Sequence, residues 1–170
     1  MKPETITKQI FKIIPALLLV TLSAFLLQGD VWTFWTWYLL ALVLGAAAMP
    51  LTGRLFRRFQ DRGWMFSKVT AIAVSGFLTW FLVAVKIIKF TTMTCIVVTL
   101  VCAAASLILY CREQKAGFEC IPFAHLDLVY AEELLFFTAF LLWTYFAGFH
   151  PAAYGTEKFM DYGFMEAMML

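Results

Sequence analysis

Charge is what this sequence has least of. Of its 170 residues, 14% are Asp, Glu, Lys or Arg, against about 25% in an ordinary soluble domain. That shortage excludes a conventional water-soluble globule, because the 63% of hydrophobic residues fall in long unbroken runs. Ionisable groups are nearly missing from the middle of those runs, which disfavours a transporter, whose path needs them. Histidine occurs twice and cysteine four times. Cys95 and Cys102 lie inside an apolar run, where thiols pack as small hydrophobes. Cys111 and Cys120 have eight residues between them. That spacing matches no usual zinc pattern, and neither His125 nor His150 completes one. Free thiols, and no metal in that loop, are the expectation.

What is present instead is apolar length. Five segments approach the ~20 residues that cross a bilayer: about Ile10 to Leu27, Val31 to Met49, Val69 to Val85, Thr92 to Tyr110 and Val129 to Gly148. The expected fold class is all-α, a polytopic transmembrane helical bundle of about five spans. The first run also admits a cleavable signal peptide, with Lys2, Lys8 and Lys12 as its basic region. Its length, and the lack of a small-x-small site before Gln28, favour a retained anchor.

Direction follows from the basic residues, whose net excess is only +2. With a cytoplasmic N-terminus, the inner side takes Lys2, Lys8, Lys12, Arg54, Arg57, Arg58, Arg62, Lys68, Arg112 and Lys115. The outer side takes Lys86, Lys89 and Lys158. Ten against three predicts an integral protein of the cell membrane with its N-terminus inside and its C-terminal strip outside. Trp32, Trp35 and Trp37 then begin the second span at the outer interface, and Trp143 and Tyr145 end the fifth there.

Three stretches invite a chemical reading. In LTGRLFRRFQDRGW, Arg54, Arg57 and Arg58 share one helical face, and Leu51, Leu55 and Phe59 form another stripe. This predicts a short amphipathic segment on the inner leaflet, its arginines on anionic headgroups. A site for a phosphate-bearing lipid is the functional alternative. Glu132 and Glu133 open the fifth span in AEELLFF, where first-turn carboxylates favour the helix dipole, with Asp127 as N-cap. The terminal strip GTEKFMDYGFMEAMML predicts an external amphipathic helix capped by Thr156. Glu157 and Asp161 stand at i and i+4, and Met160, Phe164 and Met168 form an apolar row. Those two carboxylates either hold a divalent cation or a proton, or are simply a solvated face.

DRGWMFSK, EELLFFTAFLLWTYFAGFHP and GTEKFMDYGF together resemble the YYY-domain family of polytopic membrane proteins, from about Trp32 to the end. That family is similar to the GT-C integral-membrane glycosyltransferases, which use lipid-phosphate-linked sugars and an acidic residue in the first external loop. The resemblance places Glu157 and Asp161 in that loop as catalytic or metal-holding carboxylates. The family pattern reads GTEKPMD with an Asn further on, where this chain has Phe159 and Glu166.

On this reading, residues 1–128 are four leading helices with a basic cytoplasmic loop at 51–68, and 129–170 are a first core helix and the start of the external loop. Family members run to several hundred residues, so the chain is expected to be an N-terminal portion, inactive by itself. Its partners would be membrane lipids, a polyprenyl-phosphate sugar donor and the remainder of a longer polypeptide, with no nucleic acid. A small non-enzymatic membrane assembly or lipid-interacting protein is the alternative.

The charge bias is directly testable. Single cysteines at Gln60 and Thr156 should label with a membrane-impermeant maleimide from opposite sides of sealed vesicles. Labelling of both from one side would mean that a span has been miscounted.

Overall fold

The computed structural model describes residues 3–117 and 125–149 together with Glu166, with side chains from Ile13 onward. Cys120, Thr156, Glu157 and Asp161 lie outside the described residues. So does the expected C-terminal amphipathic helix, apart from Glu166, which is helical.

The described chain is helical, with no strand. Helix α1 spans Pro3–Leu27 and α2 Val31–Leu55, joined by a 3-10 turn at Gln28–Asp30. Helices α3 (Trp64–Ala84), α4 (Thr92–Lys115) and α5 (Leu126–Gly148) follow. Three stretches are long and apolar enough to cross a membrane: Ile13–Leu55, Trp64–Ala84 and Thr92–Lys115. The first is 43 residues long, about 65 Å if straight and twice a hydrocarbon core. It does not run straight. Gln28 adopts a φ of 44°, and Ala16 and Leu19 come back beside Tyr38, so α1 and α2 form a hairpin. α5 has the length of a span but falls outside that set.

α2 and α3 form the central pair. α4 packs on both of them, and α5 packs on α1, α2 and α3. Successive helices run antiparallel, which gathers the loop at 56–63 and the end of α4 at one end of the bundle. That end holds Arg54, Arg57, Arg58, Arg62, Arg112 and Lys115. The turn after α1, the loop after α3 and the end of α5 lie at the other.

The loop at 51–68 differs from the expected amphipathic segment. α2 continues to Leu55, and the chain then turns through carbonyl contacts at Phe56, Phe59 and Asp61. Arg62 and Gly63 both take positive φ, 53° and 77°. At Gly63 a Cβ would stand 2.6 Å from the Phe56 ring, so a side chain at this entry to α3 would be strained and would displace that ring. At the start of α4, the Thr91 hydroxyl accepts from the Thr94 N–H at 3.2 Å, an ordinary N-cap. α5 begins at Leu126, with His125 and not Asp127 in the capping position. Glu132 and Glu133 are therefore its seventh and eighth residues, two turns in, beyond the reach of the helix dipole.

Most large apolar side chains face outward, among them Trp32, Trp37, Leu100 and Trp143, as lipid contact requires. The buried cluster is small: Phe34, Tyr38, Phe137 and Leu141. Phe137 meets Phe34 and Tyr38 edge to face, at 5.4 and 4.8 Å between centroids. Since lipid tails are as apolar as leucine, helix association rests on close packing and polar contacts. Gly45 supplies the closest approach, where a Cβ would stand 2.7 Å from Lys68 Cγ and 2.9 Å from Ser67 Oγ.

Gly45→Val should therefore separate α2 from α3 and cost roughly 1–3 kcal/mol, as overpacking does. At Gly76 a Cβ would have nothing within 4 Å, and Gly76→Ala should be neutral or stabilising by up to about 1 kcal/mol. Reversible denaturation in detergent micelles compares the two; equal effects would refute the close-packing account.

Candidate functional site: a carboxylate held by three helices

Within the bundle, polar chemistry concentrates around Glu133. α3 begins at Trp64, so Trp64 and Lys68 stand one turn apart on the face that meets α5. α2 brings Tyr38 to the same point from the other side. The Lys68 ammonium donates to Glu133 Oε2 at 2.6 Å, and Trp64 Nε1–H donates to the same oxygen at 2.9 Å. The Tyr38 hydroxyl donates to Oε1 at 2.8 Å. Lys68 is 2% exposed, and its ammonium also lies 4.8 Å from the Trp64 ring and 4.6 Å from that of Phe136. Both rings present electron-rich faces to the cation.

Burying an isolated ammonium or carboxylate costs several kcal/mol per ion, and the pair holds only when the remaining polar sites are filled. Here they are. Three donors converge on one carboxylate, and the cation is flanked by two aromatic faces. A carboxylate so occupied has little capacity left to take a proton from a substrate. Its chemistry is positional: it fixes α5 against α2 and α3.

Asp61, 5% exposed, and Glu132 lie beside it, near enough for their charges to repel. Glu132 Oε2 is buried with no partner. The described residues contain no group of three His, Cys, Asp or Glu placed to hold a metal ion. A cavity of about 170 Å³ lies beside Tyr38 and Glu133, walled mainly by Ala16, Leu19, Leu134 and Phe137.

The residues singled out in the sequence are distributed differently. Arg54 and Arg57 converge on Glu113 of α4, at 3.2 and 3.3 Å, each with about half of its side chain exposed. Arg58 is exposed. Lys68, counted in the sequence as a loop charge, is inside the bundle. Glu157 and Asp161 lie outside the described residues. The missed feature is the partnership of Lys68 with Glu133, 65 residues apart. A carboxylate within an apolar run is the signal that such a partner exists, but the sequence does not say which helix supplies it.

Comparison with known proteins gives one result. The sequence model of the DUF2298 family, described as uncharacterized membrane protein, matches residues 74–170, and the chain belongs to that family. The matched region contains α4, α5 and the terminal strip, Glu133 included. No curated protein and no solved structure matches the chain.

Removing one partner of the pair should be costly. Glu133→Gln leaves Lys68 buried without a counter-charge and should destabilise the bundle by about 3–5 kcal/mol. Tyr38→Phe removes one donor and should cost about 1 kcal/mol. The double variant Lys68→Met/Glu133→Leu should recover at least half of the Glu133→Gln loss. Denaturation midpoints in detergent decide it; a double variant as unstable as the single one would show that the charge is not the cause.

Proposed function

We propose that this member of the DUF2298 family contributes the leading helices of an integral-membrane glycosyltransferase similar to the GT-C group, taking its sugar from a lipid-phosphate-linked donor. The observation that carries the reading is the Glu133 clamp. It immobilises α5, the helix that leads directly to the strip resembling the family's external loop, with six residues between Gly148 and Gly155. Catalytic carboxylates gain most from a rigid support. The EELLF stretch that carries the clamp and the GTEKFMD stretch that carries Glu157 and Asp161 are also the two stretches of strongest resemblance.

In this reading Glu157 and Asp161 activate the acceptor hydroxyl, directly as a base or by holding a divalent cation through oxygen ligands. Arg54, Arg57 and Arg58 lie at the opposite, inner membrane surface and take no part in transfer. The five described helices do not enclose a donor lipid and an acceptor together, so transfer requires the remainder of a longer polypeptide. A second reading, a non-enzymatic lipid-interacting or assembly protein, is favoured by Arg54 and Arg57, which stay half exposed at the basic end of the bundle.

Transfer from a radiolabelled lipid-phosphate-linked sugar, measured in membranes containing a longer family member, separates the two. At the position matching Asp161, Asp→Asn should reduce transfer by at least ~10²-fold, the lower end for losing a positioned acid–base group. The change matching Lys158→Ala should do far less, and expression should be unaltered. Full transfer in the variants matching both Glu157→Gln and Asp161→Asn would leave the strip an interfacial anchor and favour the second reading.

A further inference from the structure

Most hydroxyl groups in these helices follow one pattern. Thr21, Ser23, Thr36, Thr52, Ser75, Thr79, Thr99, Thr138 and Thr144 each donate to a carbonyl three or four residues back in their own helix. This is how a hydroxyl is satisfied in an apolar medium. Ser106 of α4 departs from it. It is 8% exposed, and its Oγ is buried with no hydrogen-bond partner.

Ser106 lines a half-open cavity of about 360 Å³ between α2, α3 and α4. Its walls are apolar and largely of small side chains, with Ala48, Ala71 and Ala103 leaving the space between the backbones. Leu51 and Leu109 are its lining residues nearest the basic end of the bundle. One turn beyond them, Arg54 and Arg57 meet Glu113, and both guanidinium groups stay half exposed. Between Leu51 and Asp61 three arginines face a single aspartate, Arg62 follows directly, and the end of α4 adds Arg112 and Lys115 against Glu113. One end of an apolar cavity therefore lies beside positively charged groups. Ser106 lies seven residues before Glu113, about 10 Å deeper along the helix.

From these features we propose that the α2–α3–α4 cavity is a binding site for one anionic glycerophospholipid of the leaflet on the basic side. One acyl chain fills the space walled by the alanines. The headgroup phosphate sits among the exposed guanidinium groups at the basic end. An apolar cavity with a few placed polar groups is the usual form of a lipid or small-molecule site, and a basic rim selects anionic headgroups. The arginines stand at the end of the bundle opposite the end of α5, so this lipid is distinct from any sugar donor acted on beyond α5. The site does not depend on the glycosyltransferase reading.

The test is lipid retention by the full chain. Protein in nanodiscs of equimolar dioleoylphosphatidylglycerol and dioleoylphosphatidylcholine is released and its bound lipid counted by native mass spectrometry. One phosphatidylglycerol per chain should be retained, at least 10-fold over phosphatidylcholine. Ala103→Trp, which fills the cavity, should abolish retention, with helix content by circular dichroism unchanged. Ser106→Leu serves the same purpose should the tryptophan variant fail to fold. Arg54→Gln with Arg112→Gln should bring the two lipids near parity while one lipid still binds. Wild-type retention by a folded cavity-filled variant would overturn the proposal. So would self-association of the wild type that is lost in Ala103→Trp with no lipid retained, since the occupant would then be a helix of a second copy.

Discussion

A charge in a low-dielectric interior must be answered within a few ångströms, and the Lys68–Glu133 pair is where this bundle meets that demand. Lipid offers no hydrophobic incentive for helices to associate, so the apolar surfaces of α2, α3 and α5 do not by themselves choose a register. The pair does. Displacing α5 by one residue along α3 would strand an ammonium and a carboxylate together, a larger penalty than any single aromatic contact could offset. Tyr38 extends the constraint to α2, and the Phe34–Phe137–Leu141 cluster continues the same seam away from the charges. Gly45 lets α3 approach closely enough for Lys68 to lie in that seam.

The helices themselves were legible from hydropathy and length. So was the hairpin at Gln28–Gly29–Asp30, where polar residues interrupt 43 residues of apolar sequence. What periodicity misjudged was depth. Reading α5 from about Val129 puts Glu132 and Glu133 in its first turn, where the helix dipole accounts for them. Three more residues of helix, beginning at Leu126, remove that account, and a partner becomes necessary. Its identity depends on which helices are neighbours, information held in contacts between residues far apart in sequence. The strip at 155–170, which carries the sequence's strongest chemical suggestion, lies outside the described residues apart from Glu166.

The loop at 51–68 fails as an amphipathic helix for a local reason. Spacing places Arg54, Arg57 and Arg58 on one face only if the helix continues, and the positive φ of Arg62 and Gly63 belongs to a turn that stops it. The turn sends Asp61 inward to Glu132 and leaves the arginines at the surface around Glu113. Lys68 drops out of the count of loop charges, so the bias becomes nine against three. The asymmetry survives, because it rests on the arginines and not on the one lysine that the fold consumes.

The two ends of the bundle are thus built on different physics. At the basic end, guanidinium groups stay half exposed beside an apolar cavity, an arrangement suited to a ligand that is anionic at one end and greasy at the other. At the opposite end the loops are short, the aromatics Trp32 and Trp143 face outward, and α5 finishes as a fixed post. The clamp on Glu133 lies between them and has little capacity left for either. Its contribution to both ends is the same: it makes α3 and α5 one rigid unit, so whatever binds among the arginines and whatever follows Gly148 share a common frame. A bundle held only by apolar contact with lipid on all sides would allow α5 to slide, and neither end could then hold a ligand in a defined geometry.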